Sequence, residues 1–417
     1  MRTKQLGTNL LTLAVVVLVL CLVIYPEPAF QAAESGLKIF WNIVFPSLLP
    51  FFVLSEIMLG LGVVHFIGVL FEPLMRPLFS VPGEGAFALS MGLAAGYPMD
   101  AVITGKFRRQ GMCTRVEGER LLAFTNTADP LFMFGAVAVG MFGIPTLGAT
   151  LALAHYLSAF SVGLLFKLWG RGQRDVNGTT VPRPGPTGGN ILVRALSAMA
   201  RAREEDGRSF GQLMGDAVND SVKTLLMIGG FIMVFSVLVR ILQVTGAEPI
   251  VTAPLGVVFR VLHLDANLLQ AALQGLFEID LGTVAASKAA APFLEKVVMA
   301  SAVIKQADFS VHGQVASVIS GTDISMKPYF LARFLHAVLA GVYTLFLMGP
   351  AAPAVAAVFH LVPAASVPPA ATGLLPFWEH LQLGFTRALV IPAALALGGF
   401  LAFLPRTLRV TWFRLTR

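Results

Sequence analysis

Two apolar stretches of this chain are interrupted near their middles, and those interruptions constrain the fold more than any other feature. Residues 85–105 break at Gly96-Tyr97-Pro98, and residues 268–292 break at Glu278-Ile279-Asp280. Pro98 lacks a backbone donor and biases Tyr97 out of helical geometry. The half before that break, residues 85–95, reaches roughly 16 Å, about half the apolar slab of a bilayer. Each stretch therefore reads as a re-entrant helical hairpin with its tip near mid-membrane. Irregular backbone is tolerated at that depth only where it is buried in protein or lines a cavity.

The remaining chain supplies the membrane context. Apolar segments lie near 9–25, 37–60, 120–142, 147–168, 223–244, 294–316, 326–348 and 385–404. About 20 residues suffice for one crossing. Only 13% of the 417 residues are charged, against about 25% in a soluble domain. The fold class expected is an all-α polytopic membrane protein, with about eight transmembrane helices plus the two hairpins. The sequence pI near 9.6 suggests nucleic acid at first. The basic residues, however, sit between and beside apolar segments, which is the positive-inside pattern of membrane topology. The segments 106–120 and 170–208, the C-terminus and the N-terminal Arg2 and Lys4 hold more than half of the 30 Lys and Arg. All four regions fall on one side of the membrane if both termini are cytoplasmic. Residues 350–386 contain no Lys or Arg and fall outside. Residues 9–25 read as an uncleaved first span rather than a leader. Cys21 and Cys113 show no metal-ligand spacing, and no disulfide is expected.

A weak internal repeat links the halves. Met91-Gly92-Leu93-Ala94 in the first answers Gln274-Gly275-Leu276-Phe277 in the second, and Phe134-Gly135-Ala136-Val137 answers His312-Gly313-Gln314-Val315. The first unit begins after one crossing and the second after an even number, so the two face opposite ways. Inverted repeats with helices broken at mid-membrane are a common architecture of secondary transporters.

Ionisable residues in a membrane are costly, so they default to a functional reading. They gather at the breaks. Gly96, Tyr97, Pro98 and Asp100 form the first cluster, and the plainer alternative is a proline kink with Asp100 capping the next half-helix. Thr125-Asn126-Thr127-Ala128-Asp129-Pro130 is the second, where side-chain oxygens suit a polar ligand or a cation. The third holds Glu278, Asp280, Thr283, Ser287 and Lys288, with Lys288 placed to neutralise a carboxylate. Lys305, Gln306, His312 and Gln314 are expected to line a broken span, and Glu56 stands alone in its segment. Gly96, Tyr97, Pro98, Thr125, Asn126, Thr127, Glu278, Thr283, Ser287, Lys288 and Gln314 are the substrate-binding candidates. Glu56, Asp100, Asp129, Asp280 and His312 are the candidates for ion or proton coupling. His155 and His336 read as packing residues. No Gly-Lys-Ser/Thr phosphate loop and no His-Glu-x-x-His occurs. The chain is thus expected to be no enzyme and to need no cofactor, any transport being passive or driven by an ion gradient. No metal is assigned.

These clusters resemble the YlbJ family of sporulation integral membrane proteins, which carries the nucleoside-recognition or Gate domain twice. The resembling runs include Phe45 to Glu56, Met91 to Pro98, Glu119 to Phe132 and Phe134 to Gly140. In the second half they are Leu225 to Phe231, Gly275 to Gly282 and Val311 to Ser317. The resemblance spans about residues 10–348. It implies two inverted Gate-type repeats, at 37–169 and 209–348. An N-terminal helix with its outer loop occupies 1–36, an Arg-rich cytoplasmic linker 170–208, and an outer loop, last crossing and basic tail 349–417. It further implies export of dipicolinate, a pyridine dicarboxylate, from the mother cell across the outer forespore membrane. Where the family pattern has Glu-Ile-Thr, this chain has Glu278-Ile279-Asp280, and Asp100 likewise adds an acid at the first tip. An anionic solute then requires those acids to hold a cation or a proton. Two alternatives stand beside this one: a transporter of nucleosides or other neutral solutes, and a non-transporting sporulation scaffold. The expected partners are a small-molecule substrate and the lipid bilayer, with no nucleic acid and with a homo-oligomer left open.

Overall fold

The structure is a computed structural model that describes residues 2–130, 132–171, 190–306 and 308–350. The expected crossing at 385–404, the basic C-terminus and the centre of the linker lie outside the described residues.

All regular structure among the described residues is helical. After α1 (Arg2–Ile24), the chain turns through 104° at the proline-rich Tyr25 to Pro28. It then runs as one continuous helical path through α2 (Pro26–Ile39), a π turn (Phe40–Val44) and α3 (Phe45–Gly60). α4 (Val63–Phe79) leaves α3 at 82°. The first hairpin is α5 (Gly85–Ala95) and α6 (Met99–Arg109). A broken span follows, made of α7 (Arg115–Thr125) and a wide π-helical segment (Phe132–Met141), and α8 (Leu147–Phe166) closes the first half. α9 (Ile191–Asp206) is amphipathic and packs on α4.

The second half retraces this order. α10 (Phe210–Val244) and α11 (Glu248–Val261) take the places of α3 and α4. α12 (Leu269–Phe277) and α13 (Ile279–Lys288) make the second hairpin. α14 (Phe293–Gln306) and α15 (Phe309–Val318) make the second broken span, and α16 (Met326–Met348) closes the unit. Contacts fix the relative direction of the two broken spans. α7 begins beside the end of α15, where the Ser325 amide donates to Glu119 (3.2 Å) and Arg108 grips Asp323 through two 2.7 Å bonds. The π-helical segment ends where α14 begins, with the Phe142 and Phe293 rings 6.3 Å apart. The two broken spans therefore run antiparallel.

Glycines shape both hairpins. Gly96 sits at φ +74° and ψ −163°, a conformation essentially closed to other residues. In the second hairpin the arms touch at Gly275 and Gly282, where a Cβ on Gly282 would lie 2.3 Å from the Gly275 Cα. No other residue permits that approach.

α8, α10 and α16 are each long and apolar enough to cross a membrane, and each bent pair can add one more span. α16 displays the two environments: Phe334 is 65% exposed toward lipid, while Arg333 and His336 on its other side are buried. The chain is a polytopic membrane protein. α4 escaped sequence reading as a membrane element because Glu72, Arg76, Pro73 and Pro77 interrupt its apolar run.

Candidate functional site

Four half-helices start at one place. α6, α13, α15 and the π-helical segment all begin at the breaks, so their amide-bearing ends converge there. Between them lies a cavity of about 390 Å³. Tyr97 and Ala95 come from the first tip, Glu278, Ile279 and Asp280 from the second. Ala128, Asp129, Asp308, Ser310 and Gln314 come from the two broken spans. The wide turns of the π-helical segment present Gly135 and Ala136, and Ile228 and Ile232 of α10 close one side with Val44 and Leu48. π-helical turns are rare and recur at functional sites.

Asp129 and Asp308 occupy matching positions in the two repeats. Asp129 accepts from the Phe132 amide (2.8 Å) and begins the π-helical segment. Asp308 accepts from the Val311 amide (2.5 Å) and so caps α15. Its second oxygen takes the Ile279 amide (2.7 Å), which fastens the second tip to the second broken span. Among the described residues the wall thus carries four carboxyl groups, Asp129, Glu278, Asp280 and Asp308, and no Lys or Arg.

A second polar layer lies behind the first broken span. Asn126 donates to Asp100 (2.8 Å) and accepts from the Tyr329 hydroxyl (2.8 Å). Thr125 adds a bond to Asp100 (3.1 Å). Arg333 donates to the carbonyls of Asn126 and Ala123, both at 2.7 Å. The Ala128 amide donates to His155 Nε2 (2.8 Å), and Lys305 Nζ lies 3.1 Å from the same atom. Every side chain in this layer is buried. Arg333 and Lys305 come from the second repeat, so the network ties the two halves together.

The candidates from sequence separate accordingly. Tyr97, Asp129, Glu278, Asp280 and Gln314 line the cavity together, and Gly96 and Pro98 shape its first tip. Asp100, Thr125, Asn126 and Thr127 stand behind the wall. His312 also stands behind it, its ring stacked on Phe330 at 4.6 Å. Thr283 bonds back to the Ile279 carbonyl (2.9 Å) and Ser287 to that of Val284 (2.8 Å). Lys288 is exposed at the far end of α13 and does not meet the carboxylates. Glu56 pairs with Lys106 away from the cavity. Asp308, Tyr329 and Arg333 were missed. Asp308 had a signal, since Ala307-Asp308 repeats Ala128-Asp129. Arg333 had another, as a charge inside an apolar span. Among the described residues, no three His, Cys, Asp or Glu side chains are grouped as a metal site. The cavity suits a small solute with an apolar body, and an anionic one only when the wall acids are neutralised.

Comparison with known proteins adds to this geometry. The Gate family model, described as nucleoside recognition, matches residues 42–168. The chain is 42% identical over 352 residues to the sporulation integral membrane protein YlbJ of Bacillus subtilis (strain 168), which covers 84% of this chain and 85% of that protein. No solved structure matches the chain.

Proposed function

The chain belongs to the YlbJ family of sporulation integral membrane proteins, and from that premise we propose that it carries a small organic acid, dipicolinate, across the outer forespore membrane. One observation carries the reading: a cavity of about 390 Å³ lies where two inverted hairpin tips meet two broken spans. Secondary transporters place substrate at such a junction and alternate access around it. The volume falls at the small end of the range for small-molecule sites, about 300–1,000 Å³, and suits a single-ring solute. Tyr97, the aliphatic side chains of α10 and the small Gly135 and Ala136 form a slot for a flat ring. The protein acts as a carrier rather than a catalyst, and its energy comes from gradients of solute and ions.

The four wall carboxyl groups favour a second reading, a neutral solute such as a nucleoside, because they would repel an unaccompanied dianion. The two are separated by flux in sealed vesicles containing the purified protein. Labelled dipicolinate should enter saturably, be displaced by unlabelled dipicolinate, and be unaffected by excess nucleoside. Nucleoside entry without dipicolinate entry would establish the second reading instead.

A further inference from the structure

Glu278 is 6% exposed, lines the cavity, and holds one carboxyl oxygen, Oε2, that is buried without any hydrogen-bond partner. An ionised carboxylate left in that condition would be costly. Asp308 lines the same cavity, and one of its oxygens takes the amide of Ile279, the residue next to Glu278. Asp308 cannot be the proton-bearing member, because both of its oxygens already accept backbone amides, from Val311 and Ile279. Two carboxyl groups on the wall of one apolar cavity favour a shared proton over two charges, and the unpartnered oxygen of Glu278 is the seat for it.

We propose that the Glu278–Asp308 pair is the proton-coupling site of the carrier, with the transported proton on Glu278. This rests on the transport reading above. The proton enters from water on one side and forms an O–H bond on Glu278 before solute binds, the state argued for this structure. It leaves to water on the other side when the solute departs, and Glu278 becomes a carboxylate. Nothing is oxidised or reduced. Asp308 is the fixed partner: held by two amides, it locks the tip of the second hairpin to α15.

The other groups around Glu278 fit this assignment. Asp280 comes from its own hairpin, Asp129 from the first broken span and the Tyr97 hydroxyl from the first tip. α10 and α3 contribute only aliphatic side chains there, among them Ile232 and Leu48. The buried cations stand behind the wall, Lys305 on His155 and Arg333 on Asn126. No positive side chain on the wall competes for the Glu278 charge, so neutralisation by a proton is the remaining route when an anion enters.

The test compares wild type with Glu278→Gln, which imitates the protonated carboxyl and cannot release a proton. In vesicles, net dipicolinate uptake by wild type should rise several-fold under an imposed pH gradient and carry protons with it, followed by an internal pH dye. Glu278→Gln should lose the response to the gradient and the proton movement that accompanies solute. Retention of that response in the variant would overturn the proposal. A second measurement does not depend on flux: the infrared carbonyl stretch of protonated carboxyl groups should be present in wild type at neutral pH and lose one component in Glu278→Gln. Absence of that component from wild type would overturn the proton assignment even where transport is intact. A complete lack of flux with the component present would overturn the transport reading, and the coupling role with it, but leave the proton on Glu278.

Discussion

Asn126 stands at the centre of the buried polar network behind the wall, yet it faces away from the cavity. Its amide joins Asp100, Tyr329 and Arg333, all buried. Leaving buried polar partners unmade costs about 1–3 kcal/mol each. Asn126→Ala is therefore expected to lower the melting temperature of the detergent-solubilised protein, and to lose flux through loosened architecture. Arg333→Lys should do the same, because a single ammonium cannot reproduce the two-armed grip on the Asn126 and Ala123 carbonyls. Wild-type melting of Asn126→Ala combined with lost flux would move Asn126 from scaffold to substrate contact. Sequence reading chose Asn126 correctly as a polar residue at a break, but a side chain's direction at irregular backbone has no periodicity to betray it. Lys288 fails for a different reason. α13 is regular, and ten residues of helix carry Lys288 about 15 Å from the tip.

At the scale of elements, the hairpins were legible because their breaks are written in Gly, Pro and paired acids. Their fastenings were not, since those are long-range bonds between residues unremarkable in isolation. Arg108 at the base of the first hairpin is such a case, reaching Asp323 in the turn between α15 and α16. Hydrogen bonding to that guanidinium holds the Asp323 carboxyl below its usual range. A depressed acid contributes stability above its unfolded value, near 3.9 for Asp, and loses it as pH falls through the folded value. Arg108→Gln should therefore melt lower than wild type at neutral pH, by less than about 1 kcal/mol for a partly exposed pair. The gap should close in acid, as melting curves across pH would record. A gap that persists at low pH would assign Arg108 a packing role instead. α4 and α11 illustrate a further limit of sequence. Each is an apolar helix interrupted by proline, and its place became readable only from the element order of the other repeat.

Over the whole molecule, two inverted units meet at a cavity whose wall is acidic and whose supporting layer carries the cations. The inversion places Asp129 and Asp308 at matching breaks, so each half fixes its own half-helix with a carboxylate. The halves then diverge. The Asp308 carboxylate also ties down the second tip through the Ile279 amide, and Arg333 and Lys305 reach across into the first half. Such asymmetry lets the first broken span serve as frame while the second, with the hairpin tip fastened to it, presents Asp308 and Glu278 to the cavity. Membrane character followed from apolar length, because the bilayer dictates it. The cavity did not, because its wall is assembled from segments far apart in the chain.

Solute that passes through this cavity is stopped by a side chain that fills it. Ala136 lies on the wall, half-buried in the π-helical segment. Ala136→Trp should fill the space between the tips without touching the polar network behind them. Dipicolinate flux should fall to the level of protein-free vesicles, while the variant still purifies as a stable protein with near wild-type melting. Undiminished flux through the plugged protein would contradict the account and place the route elsewhere.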